Sequence, residues 1–232
     1  VREAVMTIGV GSKGMLFATT NAGSYGGVAY LPSTNAMAVC VVAVGGSDSV
    51  GSMSGGQNTW LRLSRSTYNG AGDTIYVFVQ QGSPTPTSMQ PQFFCSDNAG
   101  TGCCIMQFEV TSQEGMYFRQ CVASFGTTAN PTVTFPFATN SANAVIVGIG
   151  IDRTNPAMTP PASWTETCDS GYATPTAGMA VAFRAQAVNT TTITYSGAVG
   201  NWGAVGIEIW QLGSVPPNLD DAGMMGLIGV GV

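Results

Sequence analysis

The chain has no histidine and a single lysine, Lys13, and charged residues make up only 8% of its 232 positions. Each shortage excludes something. Without histidine there is no Ser-His-Asp or Cys-His nucleophile pair and no histidine-ligated zinc. The arginines (Arg2, Arg62, Arg65, Arg119, Arg153 and Arg184) are scattered singly. Phosphate-dominated nucleic-acid binding and polybasic membrane contact both need clustered cations, so neither partner is expected. The longest apolar stretch, residues 36–44, is about half the length of a membrane span. The opening Val1-Arg2-Glu3-Ala4 has no basic region followed by an apolar core, so no signal peptide is expected. Helix signals are almost missing as well.

What remains is an ordinary apolar share of 44% with a net charge of −5. Charged residues run to about 25% in typical domains, and disorder needs low apolar content with high net charge, the opposite balance. Solubility therefore rests on Ser, Thr, Asn, Gln and backbone, which suits a surface that neighbours will cover.

Gly, Pro, Ser, Thr and Asn punctuate the chain at intervals of about 8–12 residues, with short Val, Ile, Phe and Tyr runs between them. The runs predict strands over 15–19, 27–30, 36–44, 59–64, 74–80, 92–95, 105–111, 115–123, 132–135, 144–151, 163–167, 178–185, 191–196 and 204–212. An internal echo joins the two parts of the chain. Ala36-Met37-Ala38-Val39 matches Ala142-Asn143-Ala144-Val145, and Asn58-Thr59-Trp60 matches Ala162-Ser163-Trp164. Ile75-Tyr76-Val77-Phe78 is aligned with Ala180-Val181-Ala182-Phe183, Phe93 to Ser96 with Ile193 to Ser196, and Glu109 with Glu208. The expected fold is an all-β, antiparallel β-sandwich, jelly-roll or Ig-like, built from two related halves with extended N- and C-terminal arms. Its divisions are 1–34 (arm and first strands), 35–212 (body, halves about 35–111 and 141–212) and 213–232 (linker and tail). A sheet with one apolar face cannot bury that face alone, so two sheets should pack together.

The tail carries Met224, Met225, Leu227, Ile228, Val230 and Val232 among glycines, after a Pro216-Pro217 linker. Burying those six side chains yields on the order of 10 kcal/mol. Ordering the backbone of residues 222–232 costs a similar amount, at about 1–2 kcal/mol per residue. The tail should order only when docked, and these six residues are the expected partner-docking set.

Other residue groups have plainer readings. Cys40, Cys95, Cys103, Cys104, Cys121 and Cys168 admit free buried thiols, disulfides or a soft-metal site, and spacing does not choose among them. Most of Asp48, Asp73, Asp97, Asp152, Glu166 and Asp169 read as turn residues that bond local backbone. Glu109 and Glu208 read as solvent-face residues of related strands, with a glycosidase-like acid pair as the alternative. Gly9-Val10-Gly11, Gly45-Gly46 and Gly55-Gly56 lack the context of phosphate loops. Asn189-Thr190-Thr191 fits a glycosylation acceptor. Trp60, Trp164 and Trp210 are expected in the core, whereas Tyr25, Tyr30, Tyr68 and above all Trp202, in a Gly-Asn-Trp-Gly turn, are candidates for ligand or partner contact.

The Gln57-Asn58-Thr59-Trp60 strand and the Asn201-Trp202-Gly203-Ala204 turn before the final strand resemble those of bacteriophage and environmental-virus structural proteins. The resemblance covers the body from about residue 36 to residue 212. It implies a virion component, a capsid decoration (cement) or tail-associated protein, and carries over no catalytic residue and no cofactor. A non-enzymatic virion structural protein is therefore expected, assembled in the host cytoplasm. Its partners would be further copies of itself and a major capsid or other virion protein. The alternatives are a glycan-binding adhesin or receptor-binding module, and a self-polymerising extracellular filament subunit.

Overall fold

The computed structural model describes residues 8–46, 51–68, 72–95, 100–113, 115–127, 130–152, 158–173, 177–197 and 200–211. The fold is all-β and every strand pairing is antiparallel. The first part of the chain runs β1 (Gly9–Ala18), β2 (Ser24–Gly26), β3 (Met37–Val44), β4 (Ser52–Ser54), β5 (Leu61–Tyr68), β6 (Asp73–Gln80), β7 (Gln92–Phe94) and β8 (Cys103–Thr111). The second runs β9 (Met116–Gly126), β10 (Thr132–Thr134), β11 (Ala144–Ile151), β12 (Thr165–Ala173), β13 (Ala177–Arg184), β14 (Thr192–Thr194) and β15 (Trp202–Gln211).

Two five-stranded sheets form, ordered β1-β8-β3-β6-β5 and β9-β15-β11-β13-β12. With β9, β15, β11, β13 and β12 read for β1, β8, β3, β6 and β5, the strand orders coincide. Two small sheets accompany them, β2-β7-β4 and β10-β14. Within the stretch expected as arm and first strands, β1 is an edge strand paired with β8 through one bulge.

Three buried clusters explain the sequence pattern. One is shared by the facing sides of the two large sheets and includes Met37, Val39, Val41, Met106 and Phe108 from the first, with Ile146, Met179, Val181 and Ile207 from the second. A second cluster joins the outward side of the second sheet to Val133, Phe135, Ile193 and Tyr195. A third joins the outward side of the first sheet to Tyr25, Met89 and Phe93. Both faces of β3 and β11 are therefore covered, which is why Met-Ala-Val-Cys-Val-Val-Ala-Val and Ala-Val-Ile-Val-Gly-Ile-Gly-Ile show no polar alternation. Gly148 and Gly150 fall on the inner face of β11. A Cβ at Gly148 would strike Val41 and one at Gly150 would lie 2.5 Å from the Tyr68 hydroxyl, so glycine there lets the sheets approach closely.

Several details differ from the sequence reading. The strand expected over 27–30 is absent: β2 lies just before it, and Tyr30 makes only an isolated bridge with Met89. The strand β4 was not expected, since Ser-Met-Ser carries no apolar pattern; it exists by pairing with β7. Measured from the matched ladder positions of Glu109 and Glu208, the alignments of Ala36–Val39 with Ala142–Val145 and of Ile75–Phe78 with Ala180–Phe183 are both one residue out of step. Ala38 faces Gln80 while Val145 faces Arg184, so Phe78 corresponds to Ala182. One step reverses the face: Phe78 lies on the outward side, whereas Phe183 packs near the shared cluster with its ring 5.8 Å from Phe108.

Candidate functional site

Glu109 and Glu208 occupy matching ladder positions. Glu109 in β8 lies between Gly11 of β1 and Ala38 of β3, and Glu208 in β15 lies between Gln120 of β9 and Val145 of β11. They were expected on solvent faces, yet they are 4% and 0% exposed. The strand alternation does send both outward. Burial comes from the chain folding back over them.

Glu109 accepts a hydrogen bond from the Ser33 amide at 3.0 Å and pairs with the Lys13 ammonium at 3.2 Å. Burial pushes its carboxyl up, but hydrogen bonds from Ser33 and the bond and charge of Lys13 outweigh that and hold it below the usual value. Glu208 is more fully enclosed. One oxygen accepts from Arg119 Nη1 at 2.8 Å and Gln120 Nε2 at 2.5 Å, and the other from the Asn140 amide and Asn143 Nδ2, both at 2.7 Å. Four donors around a wholly buried carboxylate meet the requirement that such a charge be paired and hydrogen-bonded.

Two glutamines complete these latches. Gln107 in β8 exchanges both its amide groups with the Val28 backbone, at 2.6 and 2.9 Å. Gln120 does the same with Phe137, at 3.0 and 3.2 Å. The segments following β2 and β10 are thus pinned to the large sheets by side chains that mimic a neighbouring strand. Because Ala38 belongs to the outward cluster of one sheet and Val145 to that of the other, Glu109 and Glu208 face opposite ways. They share no cleft, and the acid-pair alternative has no geometry to stand on.

Beside the Glu208 latch lies an open depression of ≈370 Å³ lined by Arg119, Phe137, Thr139, Asn140, Ser141 and Asn189. Arg119 also donates to the Ala138 carbonyl at 2.8 Å, and its charge is matched by Glu208. Phe137 is 38% exposed. An aromatic face, amides and hydroxyls around an already neutralised guanidinium suit an uncharged polar ligand better than an anion. Asn189, of the Asn189-Thr190-Thr191 triplet, is part of this rim.

The remaining acids are dispersed. Asp73 is buried and accepts from the Gly46 amide at 2.8 Å, and Asp152 accepts from Asn201 Nδ2 at 2.8 Å. Glu166 lies in the edge strand β12, within the strand expected there, and β12 runs on to include Asp169, which is therefore not in a turn. Desolvation, then the neighbouring Glu166, pushes the Asp169 carboxyl up to about 6, and desolvation raises Glu166 too. Asp48 and Asp97 lie outside the described residues, as do the six tail residues Met224, Met225, Leu227, Ile228, Val230 and Val232.

Trp202 is not an exposed turn residue. It begins β15, faces Ile151 and Gly126, and is 6% exposed within the second sheet's outward cluster. A Cβ on Gly126 would lie 2.5 Å from its ring, so the indole packs flat against that glycine. Tyr25 and Tyr68 are buried too, and Tyr30 is half-buried. Trp60 is core as expected, donating to the Gly55 carbonyl at 3.1 Å, while Trp164 and Trp210 are only half-buried.

Among the described residues the two most exposed aromatics lie elsewhere, on the edge strands β1 and β9. Phe17 is 51% exposed and Phe125 is 76% exposed. Phe17 faces Cys104, which faces Ala43; Phe125 faces Gly203, which faces Gly150. They too hold matching positions, and nothing in the strand pattern marked them. All six cysteines are free thiols, and no group of three or more His, Cys, Asp or Glu able to hold a metal occurs among the described residues. Comparison with protein-family models, with curated proteins and with solved structures finds no match for this chain.

Proposed function

We propose that the chain is a non-enzymatic structural protein of a virus particle, a capsid decoration or other virion surface protein that oligomerises. Its body is a β-sandwich of two related halves. The observation that carries the assembly reading is the pair of exposed phenylalanines, Phe17 and Phe125, on the open edges of the two large sheets in a chain with 8% charged residues. Edge strands present unpaired backbone groups and are normally blunted with charge or proline. In β1 and β9 the only charged residues are Lys13 and Arg119, both turned to latch glutamates. A second copy of the chain is the natural occupant. The relation between the halves is supported by the matched strand orders, by Glu109 with Glu208 and by Trp60 with Trp164.

Light scattering on the full chain tests assembly: an oligomer is expected, and Phe17→Ser with Phe125→Ser should reduce it. Docking on a particle is tested by removing residues 222–232 and measuring occupancy, which should fall. Long fibres from the purified chain in electron microscopy would point to a filament subunit instead. A second reading, a glycan-binding module, is favoured by the Phe137 depression. Glycan-array signal lost on Phe137→Ala would support it, and a blank array would count against it.

A further inference from the structure

The two large sheets meet largely through apolar side chains, and among them two thiols come into contact. Cys104 of β8 and Cys168 of β12 place their sulfur atoms 3.7 Å apart, both fully enclosed in the shared cluster. Neither sulfur has been brought together by local sequence, since 64 residues separate them and each belongs to a different sheet. We propose that Cys104 and Cys168 are a cross-linking site, forming a disulfide that joins the two large sheets covalently.

The geometry favours this pair over the other cysteines. At 3.7 Å the sulfurs are in contact, and closing to the bonded distance of about 2.05 Å requires only a small movement. That movement is available on the Cys168 side. β12 is an edge strand, and its register against β13 shifts between Glu166 and Cys168, so the ladder there is already irregular. Cys103, the next residue to Cys104, belongs with Cys40 to the outward cluster of the first sheet and faces away from Cys168. Cys121 directs its thiol to the Leu63 carbonyl at 3.4 Å.

The reaction is thiol–disulfide exchange with a low-molecular-weight disulfide as oxidant. One cysteine thiolate attacks that disulfide, forming a mixed disulfide and releasing one small thiol. The other cysteine then attacks the protein sulfur of the mixed disulfide and releases the second thiol. Two protein thiols are oxidised, one small disulfide is reduced to two small thiols, and the two protons go to those thiols. The hydrogen bond that its thiol makes to Cys168, then burial, keeps Cys104 protonated in the closed fold. Exchange therefore proceeds while the chain folds or when the β12 edge opens, and the finished bond is shielded from reductant.

The test uses the full chain, unfolded in urea with its thiols reduced and refolded in a mixture of oxidised and reduced glutathione. Remaining thiols are then alkylated and peptic fragments are read by mass spectrometry. The expected dominant linkage is Cys104–Cys168. A loop of this length predicts a midpoint for thermal unfolding about 10 °C above that of the reduced protein. Cys104→Ala and Cys168→Ala should each abolish both the linkage and the shift. Recovery of both cysteines alkylated, a dominant linkage of either to another cysteine, or a linkage without a rise in midpoint would overturn the assignment. The wild-type fragment map decides the matter even if a variant fails to fold.

Discussion

The two latch sites occupy the same place in their sheets and are finished differently. At the first, Glu109 meets Ser33 and Lys13, and the cavity beside the neighbouring Ala38 is small. Pro32, Ala36, Gln57, Asn58, Gln80 and Pro86 close around a residual ≈10 Å³. At the second, Glu208 is held by four donors, and the space outside stays open as the ≈370 Å³ depression. The accompanying small sheets differ in parallel, with three strands over the first and two over the second, because no described strand corresponds to β4. The comparison teaches that one backbone position serves as a structural latch in both sheets. Any freedom to bind arises from what is left uncovered beside it.

The largest effect should come from breaking the better-satisfied latch. Glu208→Ala strands Arg119 and should cost about 3–5 kcal/mol in urea unfolding, the usual loss when one partner of a buried ion pair is removed. Glu109→Ala should cost less, about 1–3 kcal/mol, since fewer groups lose a partner. Equal losses would break the comparison. A pH series sharpens it. Because the folded Glu109 carboxyl sits below its unfolded value, its contribution is present above the unfolded pKa and is lost as pH falls through the folded one. Glu109→Gln should therefore flatten the acid limb of the stability curve and leave its slope near pH 7 unchanged.

The strands were legible before the structure because apolar runs between turn residues set them. β3, β6, β8, β11 and β15 fall within a residue or two of expectation. The latches were not legible. Alternation correctly sends Glu109 opposite to Phe108 and Val110, but its burial depends on residues 27–36 folding back over it, a contact across more than 70 positions. Trp202 misled for a related reason. Gly-Asn-Trp-Gly reads as a turn, and only pairing with Ile151 and Gly126 makes it the first residue of a strand. Phe17 and Phe125 carry no sequence mark because an exposed edge differs from a buried strand only in its missing neighbour.

A smaller effect concerns the far edge of the second sheet. With its folded pKa raised to about 6, Asp169 favours the fold below its unfolded pKa, and that contribution disappears as pH rises through about 6. Asp169→Asn should thus raise the thermal midpoint at pH 8, with the gain vanishing near pH 4. The smallest expected effect on stability is that of Phe137→Ala, whose ring is already partly in solvent. Its unfolding midpoint should stay within the scatter of surface substitutions, about ±0.5 kcal/mol.

Sedimentation velocity on the intact chain across a range of concentrations tests assembly most directly. The open-edge account predicts a species heavier than the single-chain 23.8 kDa that shifts toward that mass when Phe17 and Phe125 are both changed to Ser. A wild-type chain that sediments as one 23.8 kDa particle at every concentration would contradict it.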